Sequence, residues 1–124
     1  MSGNEQANGI LPVQQLQQAI EAGMISAANE IESSQIQPAS LDLRLGEDAW
    51  RVQASSLPGR GMSVTDKLEK FAMHRIDLSD GAVLERGCVY IVRHQESLRL
   101  PAALSAMANP KSSTGRLDIF TRLI

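Results

Sequence analysis

The sequence predicts a mainly β chain carrying short helices at its periphery. Beyond His74 the apolar residues fall in brief runs, at 75–78, 82–84, 88–92 and 97–100, punctuated by Gly81, Gly87 and Pro101. That is the pattern of strands separated by turns. Only two stretches, 12–22 and 63–72, repeat apolar residues at helical spacing. With aromatic residues at 3% of the chain, the core must be aliphatic. Many short strands with peripheral helices indicate a sandwich or barrel.

The 124 residues suit one compact domain. At 43% hydrophobic and 21% charged, the composition is that of an ordinary soluble globular protein. Twelve Lys and Arg against fourteen Asp and Glu leave a net charge of -2, so no basic field exists to hold a polynucleotide. Trp50, Tyr90, Phe71 and Phe120 are too few for a base-stacking platform. Cys88 stands alone, so neither an internal disulfide nor a Cys-rich zinc site can form, and a reducing compartment is expected. No stretch approaches the roughly 20 apolar residues of a membrane span, and the N-terminus lacks a basic region followed by an apolar one. A cytoplasmic location follows as the expectation.

Residues 1–8 are polar, small and aperiodic, which reads as a flexible leader, with structure beginning near Gly9. From Pro12 to Ala22, the spacing of Val13, Leu16, Ala19 and Ile20 predicts an amphipathic helix, with Pro12 in its first turn and Gly23 as its cap. Residues 29–34 are loop-like. Leu41, Leu43 and Leu45 then alternate with Asp42 and Arg44 until Gly46, which predicts a half-buried strand. A second strand is expected over 49–54, followed by a turn at 55–61. Ser63 and Asp66 have capping-box spacing ahead of a helix whose apolar face is Leu68, Phe71 and Ala72. Met24, Met62, Met73 and Met107 read as core or turn fillers.

Two segments stand out chemically. Asn109-Pro110-Lys111-Ser112-Ser113-Thr114-Gly115-Arg116 packs two cations, three hydroxyls and a glycine into eight positions. Such a loop is equipped to hold phosphate through charge, hydroxyl and backbone N–H donors, with Gly115 permitting close backbone approach. It is not a Walker A sequence, and a solvated connection built of common turn residues reads equally well. In the second segment, Gln35 to Gly46, alternation puts Asp42 and Arg44 on the strand face opposite the leucines. They could form a site or an interface pair, but an exposed ion pair on an ordinary polar face is the plainer reading. His74 and His94 have no metal-binding spacing, and Glu85 and Glu96 have no activating neighbour in sequence and read as solvated. No Gly-x-Ser-x-Gly elbow is present.

Taken together, Gln35 to Gly46, the run Gly81 to Val92, Glu96-Ser97-Leu98-Arg99-Leu100-Pro101 and Asn109 to Arg122 resemble the dCTP deaminase family, most closely its longer bacterial form. The likeness covers most of 9–124. Shorter members usually carry arginine where this chain has Lys111, so a bidentate fork becomes a point charge here. The resemblance implies a β-clip fold, the distorted barrel of the dUTP diphosphatases, incomplete in this chain, and a homotrimer with active sites between subunits. It implies that Lys111, Ser112, Ser113, Thr114, Gly115 and Arg116 hold the triphosphate of dCTP, with Mg2+ offsetting its charge and no metal ligand from the protein itself. Asp42 and Arg44 carry over as architecture or subunit contact. Replacing the C4 amine of cytosine by oxygen needs an activated water. One Cys and two ill-placed His cannot supply the zinc of the His-x-Glu, Pro-Cys-x-x-Cys deaminases. The family instead looks to a glutamate general base in an apolar strand, expected beyond Ile124.

The ending, Leu117 to Ile124, alternates apolar and polar residues like a strand cut short. The expectation is therefore an N-terminal portion, inactive alone, of an enzyme that converts dCTP to dUTP and ammonia in pyrimidine deoxynucleotide synthesis. The alternatives are a noncatalytic nucleotide-binding or oligomerisation module, and a dUTP diphosphatase or bifunctional relative.

Overall fold

A computed structural model describes residues 9–53 and 59–124. The leader at 1–8, and the expected strand end and turn at 54–58, lie outside the described residues. The chain forms two compact units, the described parts of which are 9–45 with 94–101, and 46–93 with 102–124.

In the first unit, helix α1 (Val13–Glu21) is built as its periodicity predicts, with Leu16 and Ala19 buried. Pro12 is the residue before the first turn, and its carbonyl accepts from the Gln15 and Leu16 amides at 3.0 Å each. The C-terminus closes as a Schellman motif. The Gly23 amide donates to the Ile20 carbonyl at 3.1 Å and the Met24 amide to Ala19 at 3.0 Å, which requires Gly23 at φ +77°, where a side chain would be strained. The chain then enters strand β1 (Ile25–Ala27), which pairs antiparallel with a short strand, Glu96–Leu98, in the register Ile25↔Leu98 and Ala27↔Glu96. Sequence reading missed β1, because three residues show no period. A single 3-10 turn, Ser33–Gln35, follows, with a capping box between Glu32 and Gln35.

The second unit holds a sheet in the order β3-β2-β4, from β2 (Leu45–Val52), β3 (His74–Asp77) and β4 (Val89–His94), with Glu96–Leu98 thereby β5. Antiparallel pairing of β2 and β3 sets Asp48 opposite Asp77 and Trp50 opposite Arg75. Like charges facing across a ladder repel; Arg75 relieves this by donating to Asp48. Arg93 lies over the Trp50 ring, 5.5 Å from its centroid. Helix α2 (Val64–Phe71) starts at the expected box, where the Ser63 hydroxyl accepts from the Asp66 amide at 3.1 Å and the Asp66 carboxylate accepts from the Ser63 amide at 3.2 Å. Those hydrogen bonds hold the Asp66 carboxyl below its usual pKa. Ser63→Ala removes one of the two bonds and is expected to lower stability by about 1 kcal/mol in denaturant unfolding.

All six buried apolar residues among those described, Leu16, Ala19, Ile25, Ala49, Val52 and Leu68, are aliphatic, as the composition requires. The fold is mainly β with short helices, as predicted, but several elements differ. The expected strand at 41–45 and its successor at 49–54 are replaced by one strand, β2, which runs through Gly46. Residues 42–44 cannot extend it, because their ladder donors are taken: the Asp42 amide by the Gln35 carbonyl at 2.8 Å, the Arg44 amide by the Glu96 carboxylate at 3.0 Å. Facing is inverted as well, with Leu43 and Leu45 exposed while Asp42 and Arg44 are half-buried.

No strand forms at 82–84, where Val83 is 89% exposed. The segment lies between left-handed glycines, Gly81 at φ +81° and Gly87 at φ +78°, and its Glu85 amide donates to the Tyr90 hydroxyl at 2.9 Å. Phe71, Met73 and Met107 are exposed, so Met73, in the bend between α2 and β3, and Met107 lie outside the core, and Phe71 leaves the apolar face of α2. The alternating end, 117–124, joins no sheet among the described residues.

Candidate functional site

The segment singled out for phosphate is a helical turn rather than a loop. Lys111 precedes α3 (Ser112–Arg116), which sets Ser112, Ser113, Thr114, Gly115 and Arg116 on a little over one turn. Only Thr114 is half-buried; the other five of Lys111–Arg116 are exposed. The Gly115 amide donates to the Lys111 carbonyl at 3.0 Å, and the turn closes as a second Schellman motif, Asp118 to Gly115 at 3.0 Å and Ile119 to Thr114 at 3.3 Å. Asp118 takes the left-handed position at φ +60°, which Asp tolerates better than most side chains. Gly115 itself is helical, so close approach to an anion would rest on its missing side chain alone; a Cβ there would meet nothing within 4 Å. The amides that open a helix have no intrahelical acceptor. Together with three hydroxyls, Lys111 and Arg116, they form a donor-rich, cationic segment suited to phosphate oxygens. With no carboxylate among the six, the segment offers no strong ligand of its own for a hard cation such as Mg2+.

Asp42 and Arg44 belong to a different construction, in the first unit. Arg44 turns inward to Glu96. Its Nε donates to Glu96 Oε1 at 2.9 Å and its amide to Oε2 at 3.0 Å, while the guanidinium nitrogens donate to the Glu30 carbonyl at 3.2 Å and the Asn29 carbonyl at 2.9 Å. Gln35 completes the knot. Its Nε2 donates to Glu96 Oε1 at 2.8 Å and to the Asp42 carbonyl at 2.9 Å, and its Oε1 accepts from the Glu32 amide at 2.9 Å. Gln37 donates to the Asp42 carboxylate at 3.2 Å.

Glu96, read from sequence as solvated, is buried, with its side chain 1% exposed. The misreading has a physical origin: its partners Arg44 and Gln35 lie 52 and 61 residues away, and no local pattern announces them. Burial pushes its pKa up, but the bonds from the Arg44 amide, the Arg44 guanidinium and Gln35 outweigh burial and hold it below the usual glutamate value. A carboxylate held ionised, with its lone pairs occupied, is a poor proton acceptor. Glu96 is an anchor, not a base.

Glu85 is solvated as expected, accepting from Arg51 at 3.1 Å at the surface. Its carboxylate also lies 3.7 Å from the half-buried Cys88 thiol, which donates to it. Among the described residues, no three His, Cys, Asp or Glu side chains come together as metal ligands, and no helix is long and apolar enough to cross a membrane.

Residues 7–124 match the family model of the 2'-deoxycytidine 5'-triphosphate deaminase (DCD) N-terminal domain. The chain belongs to this family. It is 29% identical over 92 residues to the "dCTP deaminase, dUMP-forming" of Persephonella marina, covering 73% of this chain and 49% of that protein. Against the dCTP deaminase of Halorubrum lacusprofundi it is 31% identical over 86 residues, 68% of this chain and 42% of the other. The crystal structure of 2'-deoxycytidine 5'-triphosphate deaminase from Agrobacterium tumefaciens superposes with a TM-score of 0.86 at 56% identity, covering 90% of this chain and 34% of that one. The deaminase-family chain thus spans about half the length of the curated relatives it matches, and about a third of the solved one. Its mainly β architecture is that of the solved deaminase.

Proposed function

We propose that this chain is the N-terminal part of a cytoplasmic, zinc-independent dCTP deaminase, which hydrolyses dCTP to dUTP and ammonia, and that Lys111–Arg116 contribute to its grip on the triphosphate. The observation that carries the reading is the family match across residues 7–124. Support for the grip comes from the exposed donors and paired cations around α3. The Mg2+ and trimeric assembly implied by the resemblance belong to the same reading, the ion reaching the protein on the nucleotide's phosphates.

Deamination adds water at C4, breaks the C4–N bond and passes a proton to the departing ammonia. A glutamate near neutral proton affinity must accept the first proton. The resemblance to the family implies that this base lies in an apolar strand beyond Ile124, and Glu96, committed to Arg44 and Gln35, does not take its place. This chain then holds phosphate and leaves the proton transfer to that strand.

The test is ammonia release from dCTP and Mg2+ by the chain alone. No release above the uncatalysed rate is expected; steady turnover would overturn the assignment of the base elsewhere. The Persephonella relative is named as dUMP-forming, which favours a second reading, deamination coupled to loss of pyrophosphate. Product analysis of the complete enzyme separates the two: dUTP alone supports the first, dUMP with pyrophosphate the second.

A further inference from the structure

Within Lys111–Arg116, Thr114 stands apart, being half-buried where its neighbours are not. Its place on the turn explains why. Each helical residue is rotated about 100° from the last, so in α3 Ser112 and Arg116 stand about 40° apart, one turn after the other, while Thr114 lies about 160° from both. The line through Ser112 and Arg116 is therefore one side of the turn, and Thr114 is the opposite side. Burial agrees with this rotation, since the covered side is the one that carries Thr114. Thr114 also closes the turn: its carbonyl accepts from the Leu117 amide at 3.1 Å and from the Ile119 amide at 3.3 Å. A β-branched side chain is stiff about χ1 in a helix, so covering it fixes the rotation of the whole five-residue turn.

We infer that Thr114 is a positioning residue that touches no phosphate, its covered side chain setting the rotation of α3 so that the Ser112 hydroxyl and the Arg116 guanidinium face the triphosphate side by side. The inference rests on the triphosphate reading of α3 and sharpens it: of the three hydroxyls in the segment, the one on Thr114 is turned away from the ligand. Ser113, about 100° from Ser112 and about 60° from Arg116, flanks their line. Three adjacent hydroxyls are equivalent in the sequence, and only the helical form and the burial of Thr114 separate them.

The experiment is calorimetric titration of the complete enzyme with dCTP and Mg2+, with thermal unfolding to verify that each variant is folded at the titration temperature. Thr114→Val keeps the branched shape and removes the hydroxyl; its affinity should stay within about twofold of the parent, because no bond to phosphate is lost. Ser112→Ala, which removes a hydroxyl on the ligand side, should weaken binding about tenfold. Thr114→Ala removes the covered branch while supplying a better helix former. It should also weaken binding about tenfold, and valine at the same position restores it. Because Thr114 acts through Ser112 and Arg116, Thr114→Ala combined with Ser112→Ala should cost less than the product of the two single effects, a coupling that a general loss of stability does not produce. Thr114→Val as damaging as Ser112→Ala would put the Thr114 hydroxyl on phosphate. Thr114→Ala binding as tightly as the parent, or multiplying fully with Ser112→Ala, would deny it the positioning role. Any of these overturns the inference while leaving the triphosphate reading in place. Affinity indifferent to Ser112→Ala, Lys111→Ala and Arg116→Ala alike overturns both.

Discussion

Glu96→Ala is expected to destabilise the chain by about 3–5 kcal/mol, the scale for removing one partner of a buried ion pair. The carboxylate is 1% exposed and accepts from three donors, the Arg44 amide, the Arg44 Nε and the Gln35 amide, while the Asn29 and Glu30 carbonyls accept from the same guanidinium. Its loss leaves the half-buried Arg44 charge and the buried Gln35 amide without this shared acceptor. Glu85→Ala, which breaks the exposed pair with Arg51, should change stability by less than about 1 kcal/mol. Urea unfolding of the two variants side by side checks the contrast. A Glu96 variant as mild as the Glu85 one would show the knot to be incidental.

The same group sets a pH dependence. Because hydrogen bonding to Arg44 and Gln35 holds its folded pKa below the usual glutamate value, the unfolded chain binds its proton more readily. The stabilisation is therefore fully present above the ordinary glutamate range and is lost as pH falls through the depressed folded value. Glu96→Ala should flatten that acid limb of the stability profile. An unchanged slope would mean that other carboxylates produce it.

Arg116→Ala and Lys111→Ala carry the second large effect. In the complete enzyme, each is expected to weaken dCTP binding by about 10- to 100-fold, the range of one charge-assisted hydrogen bond to phosphate. Arg116 should sit toward the upper end, since its fork can engage two oxygens where Lys111 offers one point charge. Both positions are exposed, so folding should be undisturbed. Calorimetric titration with dCTP and Mg2+ measures the change, and unaltered affinity in both variants would remove α3 from the triphosphate site.

What the sequence revealed was whatever depends on neighbours in the chain. The α1 period, the Gly23 cap and the Ser63–Asp66 box were all legible, because each is a rule about spacings of three to five residues. The composition of the phosphate segment was legible too, but its helical form was not, since a five-residue turn rich in Ser and Thr has no apolar period. The Leu41–Leu45 alternation misled for a stronger reason. Its polar side faces a buried carboxylate 52 residues on, so Arg44 turns inward and Leu43 and Leu45 turn out. Periodicity reports a two-faced strand; it cannot say which face the rest of the fold will cover.

On the proposed function, residues 7–124 serve as the N-terminal part of a dCTP deaminase, holding triphosphate while the proton acceptor comes from elsewhere. A chimera tests it most directly: residues 7–124 replace the matching segment of the Agrobacterium deaminase, to which this chain is 56% identical, and ammonia release from dCTP is measured with and without Arg116→Ala. The chimera is expected to turn over dCTP, with kcat/KM lowered about 10- to 100-fold by Arg116→Ala. A folded, correctly assembled chimera that releases no ammonia, or one indifferent to Arg116, would contradict it.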